Sequence, residues 1–291
     1  MRMNDKIGEA LYILNDARPL LRYSYDQRLP KPSWTHLYTT SGHLISLHAP
    51  FDHLHHRGLM LTWSNVNGMN FWEEQRGPEQ TGRITLAEWL EKRSSAEESE
   101  VAARLIWRDP GGAPVVEQLL AFSARVSDRP DEWLLVIDTS LGATEKGVVF
   151  HTPPTYNGLG IRLARSLNVR PTLVNANGQE GEEATRGVPA TWCDYTGMLD
   201  DGGGVAGVTI VNHPANQPHP VPFHTITRDM AFFAAAPTFH QPKELGAGQS
   251  WRMAYLVAVH EGAGSPEHAE QLLSWFAAQP RLLERIGSRV E

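Results

Sequence analysis

Strand-type patterning runs through this chain almost from end to end. Apolar runs at 10–14 and 20–25 flank Asn15-Asp16, a turn-forming pair, and together they predict a β-hairpin. Further strands are predicted over 84–92, 100–108, 115–126, 132–141, 146–151, 158–165, 205–212, 230–236 and 251–260. Several alternate apolar with polar residues, as in Glu132-Trp133-Leu134-Leu135-Val136-Ile137-Asp138, so that one face can be wet. The one strong helical signal comes late. Ser265-Pro266-Glu267 offers an N-cap, a first-turn proline and an early acid. Leu272, Leu273, Trp275 and Phe276 supply an apolar stripe, and Pro280 ends or kinks the helix. Many strands followed by one helix predict an all-β fold: a single large antiparallel β-supersandwich over 1–262, with a C-terminal helix over 265–287. The 25 glycines and 20 prolines are spread along the chain rather than gathered in a linker, which predicts one domain, 1–291.

Charge narrows the function classes. With 26 Lys and Arg against 33 Asp and Glu, the formal net charge is −7, which gives no basic stripe for a phosphate backbone. Cys193 is the only cysteine, so neither an internal disulfide nor a thiolate-only metal cluster can form within the chain. The start, MRMNDKIGEALYIL, lacks the apolar run of a signal peptide, and no stretch has the length of a membrane helix. The expectation is a cytoplasmic protein that binds neither nucleic acid nor membrane.

Histidine placement carries the functional signal. Of 13 histidines, His36, His43, His48, His53, His55 and His56 fall in one stretch, and His213, His219, His224 and His240 in another. A sandwich core has little use for imidazoles, each of which needs a hydrogen-bond partner when buried. Two such clusters predict convergence on one pocket. If Asp52-His53-Leu54-His55-His56-Arg57 is extended, His53, His55 and Arg57 share one side, with Asp52 and His56 on the other. The bland alternative is a polar turn whose histidines cap backbone groups. Next come Trp63, Asn65, Asn67, Asn70, Phe71 and Trp72, an aromatic and amide mixture suited to a sugar, with Glu73 and Glu74 as carboxylates. Asn-Gly is equally a turn signal, and the tryptophans can equally be core. In the run from Asn212 to His224, four prolines in nine residues argue against a helix or central strand. A stiff polar loop at the mouth of a sandwich is expected there, a surface linker being the alternative. The chain carries no GxSxG elbow, Walker loop, GxGxxG after a first strand or HExxH.

The runs FDHLHHRGLMLTWSNVNGMNFW, ATWCDYTG, VNHPANQPHPVPFH and FFAAAPTFHQP, in that order, resemble the bacterial PmoA-like family, a DUF6807-type domain of unknown function. The match covers residues 34 to 260. Leu54 replaces the family's usual Pro, and Phe223 stands where Trp is common; neither change removes a polar group. The resemblance implies a galactose-mutarotase-like supersandwich, a superfold shared by sugar epimerases, glycoside hydrolases and polysaccharide lyases. Fold analogy alone does not assign chemistry.

The expected activity is carbohydrate chemistry by acid–base catalysis: hydrolysis, elimination or epimerisation on a small sugar or oligosaccharide. The expected catalytic set is His53, His55, Arg57, Glu74 and His224, with His53 or His55 giving a proton and Arg57 neutralising developing charge. Expected to position the sugar are His56, Trp63, Asn65, Asn67, Asn157, Asp194, His213, Asn216, His219 and His240. No cofactor is required. One rival is a divalent-metal enzyme with ligands among His53, His55, His56, His213 and His219. The other is a non-catalytic sugar-binding module. Assembly as a homodimer is left open.

Overall fold

The structure, a computed structural model, describes residues 1–74, 77, 79–152, 156–200, 202 and 204–290, the last three by backbone alone. Alternating side chains build two large sheets among the described residues. A nine-stranded front sheet runs in the order Arg2–Lys6, Ala10–Asn15, Arg18–Ser24, Ser33–Leu37, Leu59–Trp63, Asn157–Arg162, Phe232–Ala235, Val221–Ile226 and Pro189–Ala190. An eight-stranded back sheet runs in the order Thr172–Asn175, Trp192–Met198, Val205–Asn212, Ser250–Glu261, Glu132–Ala143, Pro114–Val126, Glu98–Arg108 and Arg83–Ser94. Neighbouring strands are antiparallel. The fold is therefore the all-β antiparallel sandwich that the patterning predicts.

One apolar cluster joins the inner faces of both sheets. The front sheet sends in Trp63, Leu159, Ile161 and Phe233, and the back sheet Trp107, Phe122, Ile137, Tyr195 and Tyr255. The predicted hairpin is present, with Asp16 at φ +53° in its turn. The predicted helical stretch is divided at Gln279–Arg281, as Pro280 requires, into Pro266–Ala278 and Leu282–Val290. Ser265 caps the first by accepting from the His268 backbone N–H at 3.2 Å.

These helices cover the outer face of the back sheet. Ala269, Leu272 and Phe276 pack on Leu134, Trp192, Val211 and Leu256, while Leu282 and Ile286 pack on Ala102 and Ala121. The proline-rich run corrects one expectation. Val221–Ile226 is a strand inside the front sheet despite Pro222. Pro222 faces Pro189 of a two-residue edge strand, and its carbonyl still accepts from the Ala236 N–H at 2.8 Å. The ladder asks no donor of it at that point.

Candidate active site

Strand parity selects the face. In Asn157–Arg162, Leu159 and Ile161 enter the core, so Gly158, Gly160 and Arg162 face outward. By the same parity Met60, Phe232, Ala234 and His224 face outward on neighbouring strands. Met60, Trp72, Phe232 and Ala234 form a small apolar floor there. A Cβ on Gly160 would lie 2.9 Å from Phe232 and 3.1 Å from Trp72, so the glycine lets both rings rest on the sheet.

The loop that carries the first histidine cluster closes over this floor. It is turned, not extended as the alternation suggested. His53 N–H donates to the Pro50 carbonyl at 3.0 Å, His56 N–H to that of His53 at 2.9 Å, and Ala49 N–H to that of His56 at 2.7 Å. Gly58 follows at φ +69°, where a Cβ would meet the Trp34 carbonyl oxygen at 2.4 Å. Turning gathers all three imidazoles. Ring centroids are 5.5 Å apart for His53 and His55, 4.8 Å for His53 and His56, and 4.6 Å for His55 and His56. His56 also stacks on Phe232 at 5.2 Å.

His224, from the second cluster, borders the same Phe232 ring at 6.1 Å, with Tyr156 at 5.3 Å and Phe239 at 5.9 Å. It is 1% exposed, and among the described residues neither ring nitrogen has a hydrogen-bond partner. Such a group in a native fold asks for an explanation, since each unpartnered buried polar atom costs about 1–3 kcal/mol.

Turning also sends Arg57 elsewhere. Its Nε donates to Glu74 Oε1 at 2.9 Å and its Nη2 to Oε2, a forked pair. Lys31, 1% exposed, donates to the Trp72 carbonyl at 2.8 Å and to Glu74 Oε1 at 3.1 Å. Behind the imidazoles, Arg162 Nη2 donates to Asp52 Oδ2 at 2.5 Å.

Burial sets the protonation states. It lowers His55 to about 4, helped by the Lys31 charge, and His56 to about 2, helped by its histidine neighbours and Arg162. Burial, then the Arg186 charge, lowers His224 to about 4. It also brings the Lys31 amine down to about 8, against the pull of Glu74. Burial opposes the charge on Glu74 and Asp52, but hydrogen bonds from Arg57 and from Arg162 and His53 outweigh it and hold both below the usual carboxylate range. At neutral pH His55, His56 and His224 are thus neutral, among paired charges.

The other expected residues lie elsewhere. Trp63 is wholly buried in the core, and its Nε1–H donates to Thr238 Oγ1 at 3.0 Å. Asn65 Oδ1 accepts from Gly68 N–H at 3.0 Å, and Asn67 Oδ1 from Val149 N–H at 2.8 Å, so both build a turn. Asn157 is buried and accepts from Thr238 N–H at 3.1 Å. His213 lies against Phe276 at 4.8 Å, on the helix-covered face of the back sheet. Asn216 clamps both backbone groups of Ala254, and His219 meets Asn212 at 2.9 Å. Asp194, on the same sheet, is held by His260 at 2.9 Å, Thr196 and Thr209. His240 donates to the Gly187 carbonyl at 2.6 Å. The histidine clusters therefore do not converge as wholes; the front sheet receives His224, while His213 falls on the opposite outer face. Among the described residues no group of three or more His, Cys, Asp or Glu side chains is arranged to hold a metal ion.

Sequence reasoning passed over Arg162, Lys31 and Tyr156. A lone arginine in the apolar, glycine-rich strand Asn157–Arg162 was the available signal.

A family model for DUF6807, a family of unknown function, matches residues 10–274. The chain belongs to that family. Solved structures similar to this DUF6807 member include a heparan sulfate lyase mutant from Pedobacter heparinus, at 9% identity and a TM-score of 0.48 over 91% of this chain. The chain spans 37% of that lyase. A galactose 1-epimerase from Lactobacillus acidophilus is 10% identical, with a TM-score of 0.43 over 90% of this chain and 98% of its own length. An alpha-galactosidase from Lactobacillus brevis is 9% identical, with a TM-score of 0.42 over 90% of this chain and 39% of its own. No curated protein matches the chain. Among the described residues no helix is long and apolar enough to cross a membrane.

Proposed function

We propose that this DUF6807 protein is a carbohydrate-active enzyme, working by imidazole acid–base chemistry on the outer face of the front sheet. The observation that carries the reading is the gathering of His53, His55 and His56 over a Phe232 ring that also borders His224, a buried ring with no partner for either nitrogen among the described residues. His260, a structural histidine, is bonded at both ring nitrogens, whereas among the described residues His53 and His56 are bonded through Nδ1 alone, which leaves each a nitrogen for a substrate. Neutral imidazoles can both accept from and donate to hydroxyl groups, which a sugar offers in number. Tyr156, 36% exposed beside His224, offers an aromatic face for the apolar side of a sugar ring in place of Trp63.

In this reading His53 and His55 move protons, His56 and His224 hold substrate oxygens, and the Glu74–Arg57–Lys31 network fixes the loop and the local field. The substrate is a small sugar or oligosaccharide, and the reaction is hydrolysis, elimination or epimerisation. The test uses three probes on the whole protein: nitrophenyl glycosides for hydrolysis, unsaturated-product formation from uronate oligosaccharides for elimination, and anomer exchange of free aldoses. His53→Ala or His55→Ala should lower the turnover found by about 10²–10⁴ while thermal stability holds. Variants that fold and keep full activity would overturn the assignment. Sugar binding without turnover in all three assays would make the protein a binding module instead.

A further inference from the structure

Arg162 has no role in the reading above, yet it is a buried charge in contact with two of the imidazoles. Its side chain is 3% exposed. A guanidinium only donates, so every nitrogen it hydrogen-bonds must present a lone pair. Its Nη1 carries two hydrogens and has three neighbours: Met230 Sδ at 2.9 Å, His56 Nδ1 at 3.3 Å and His53 Nδ1 at 3.4 Å. The two nearer ones use both hydrogens. Nothing else in the described structure meets His56 Nδ1, so that nitrogen is the acceptor and the proton of the neutral ring lies on Nε2.

His53 is settled the opposite way. Its Nδ1 also lies 3.1 Å from Asp52 Oδ2. Asp52 is ionised and oriented by Arg162 Nη2, and an ionised carboxylate can only accept. The carboxylate is nearer than the guanidinium, and the bond to it is charge-assisted. In the neutral ring, therefore, His53 Nδ1 carries the proton and donates to Asp52, which leaves Nε2 bare. The two rings stack within 15° of parallel at 4.8 Å, one with a lone pair on Nε2 and the other with a hydrogen.

We infer that Arg162 and Asp52 together impose opposite tautomers on His53 and His56, making His53 the proton acceptor and His56 the hydrogen-bond donor of the site, with Arg162 as a positioning residue. The division of labour rests on the acid–base reading above; the tautomers do not. In the step it supports, His53 Nε2 takes a proton from a substrate O–H or C–H, and the electron pair of that bond stays on the substrate. The new imidazolium is paired with Asp52. His56 Nε2–H hydrogen-bonds the oxygen on which negative charge collects, without giving up its proton.

The decisive measurement is the tautomeric state of each ring in the whole ¹⁵N-labelled protein at neutral pH, read from long-range ¹H–¹⁵N correlations and assigned with His53→Gln and His56→Gln. Wild type should show pyrrole-type Nδ1 with pyridine-type Nε2 for His53, and the reverse for His56. The His53 result is the more telling, because a free neutral histidine prefers its proton on Nε2. Arg162→Met should release His56 from its fixed tautomer, and Arg162→Lys, which restores a donor, should return it. Asp52→Asn should release His53. Both rings showing the same tautomer in wild type would overturn the inference, and so would an unchanged His56 signature in a folded Arg162→Met. The wild-type spectrum decides even if a variant does not fold. Opposite tautomers in a protein with no turnover would leave this inference standing and overturn the enzymatic reading alone.

Discussion

Replacing His224 with leucine should stabilise the protein while removing function, because the ring is in the wrong place for a core residue. His224 is 1% exposed among Tyr156, Phe232 and Phe239, with both nitrogens unpartnered among the described residues. An apolar side chain of similar size removes those unpaired polar atoms, each worth about 1–3 kcal/mol, at the expense of about 1 kcal/mol of imperfect packing. At pH 7 the variant should therefore be as stable as wild type or more so by about 1 kcal/mol. Acid widens the gap. Burial lowers the ring from 6.5 to about 4 in the folded state, so the unfolded chain binds the proton first. Wild type then loses stability as pH falls from 6.5 toward 4, and at pH 5 this one site costs it about 2 kcal/mol. His224→Leu escapes that cost. Urea unfolding of both proteins at pH 7 and pH 5 should show the difference growing by about 2 kcal/mol in favour of the variant. A variant less stable than wild type at pH 7, with a difference that does not change at pH 5, would refute the reasoning. It would show that the ring is partnered and tolerates its proton.

Glu74→Gln should destabilise by roughly 3 kcal/mol in thermal unfolding, because it leaves Lys31 and Arg57 without their shared carboxylate in a buried setting. A loss within experimental error would mean that Lys31 is folded in its neutral form. Asp194→Asn should leave any sugar turnover unchanged but lower stability, since Asp194 holds His260, Thr196 and Thr209 on the other sheet. Burial opposes protonation of His260, but its bond to Asp194 wins and raises its pKa, so the pair stabilises below about pH 6.5 and fades as pH rises through the folded value. The variant's deficit should accordingly be larger at pH 6 than at pH 9 by differential scanning calorimetry, and an equal deficit at both would refute the linkage.

Much of the sheet framework was legible because it rests on alternation, which needs no partner to be read. Several of the strands that escaped are ones where alternation fails. Arg2–Lys6 is a polar edge strand, Leu59–Trp63 is buried on both faces, and Val221–Ile226 contains a proline. The site was legible only in its imidazoles. Composition could pick out His53, His55, His56 and His224, but inward or outward facing is a matter of register, and register depends on pairing. By composition Trp63 therefore suits a sugar platform, although its parity points it into the core beside Phe150 and Trp251. The same limit joined His213 to His224. Eleven positions and a turn toward the back sheet separate them, and nothing local in the sequence says which sheet each will face.

The asymmetry of the sandwich is the physical reason to look for function on one side. Each sheet must bury its inner face, and an outer face is then either covered or solvated. The back sheet covers its outer face with two helices and two apolar clusters. Among the described residues the front sheet places there a small apolar cluster of Met60, Trp72, Phe232 and Ala234, with Ile226 and Met230 against it, and beside it the imidazoles of His55, His56 and His224 held neutral by burial. Holding them so is costly in stability at mild acid, as the His224 argument shows, and a face kept for packing alone would be better served by leucine. The cations nearby are already matched: Arg57 and Lys31 to Glu74, and Arg162 to Asp52. On the proposed reading, recognition there would rest on directional hydrogen bonds more than on net charge, which suits a ligand rich in hydroxyl groups.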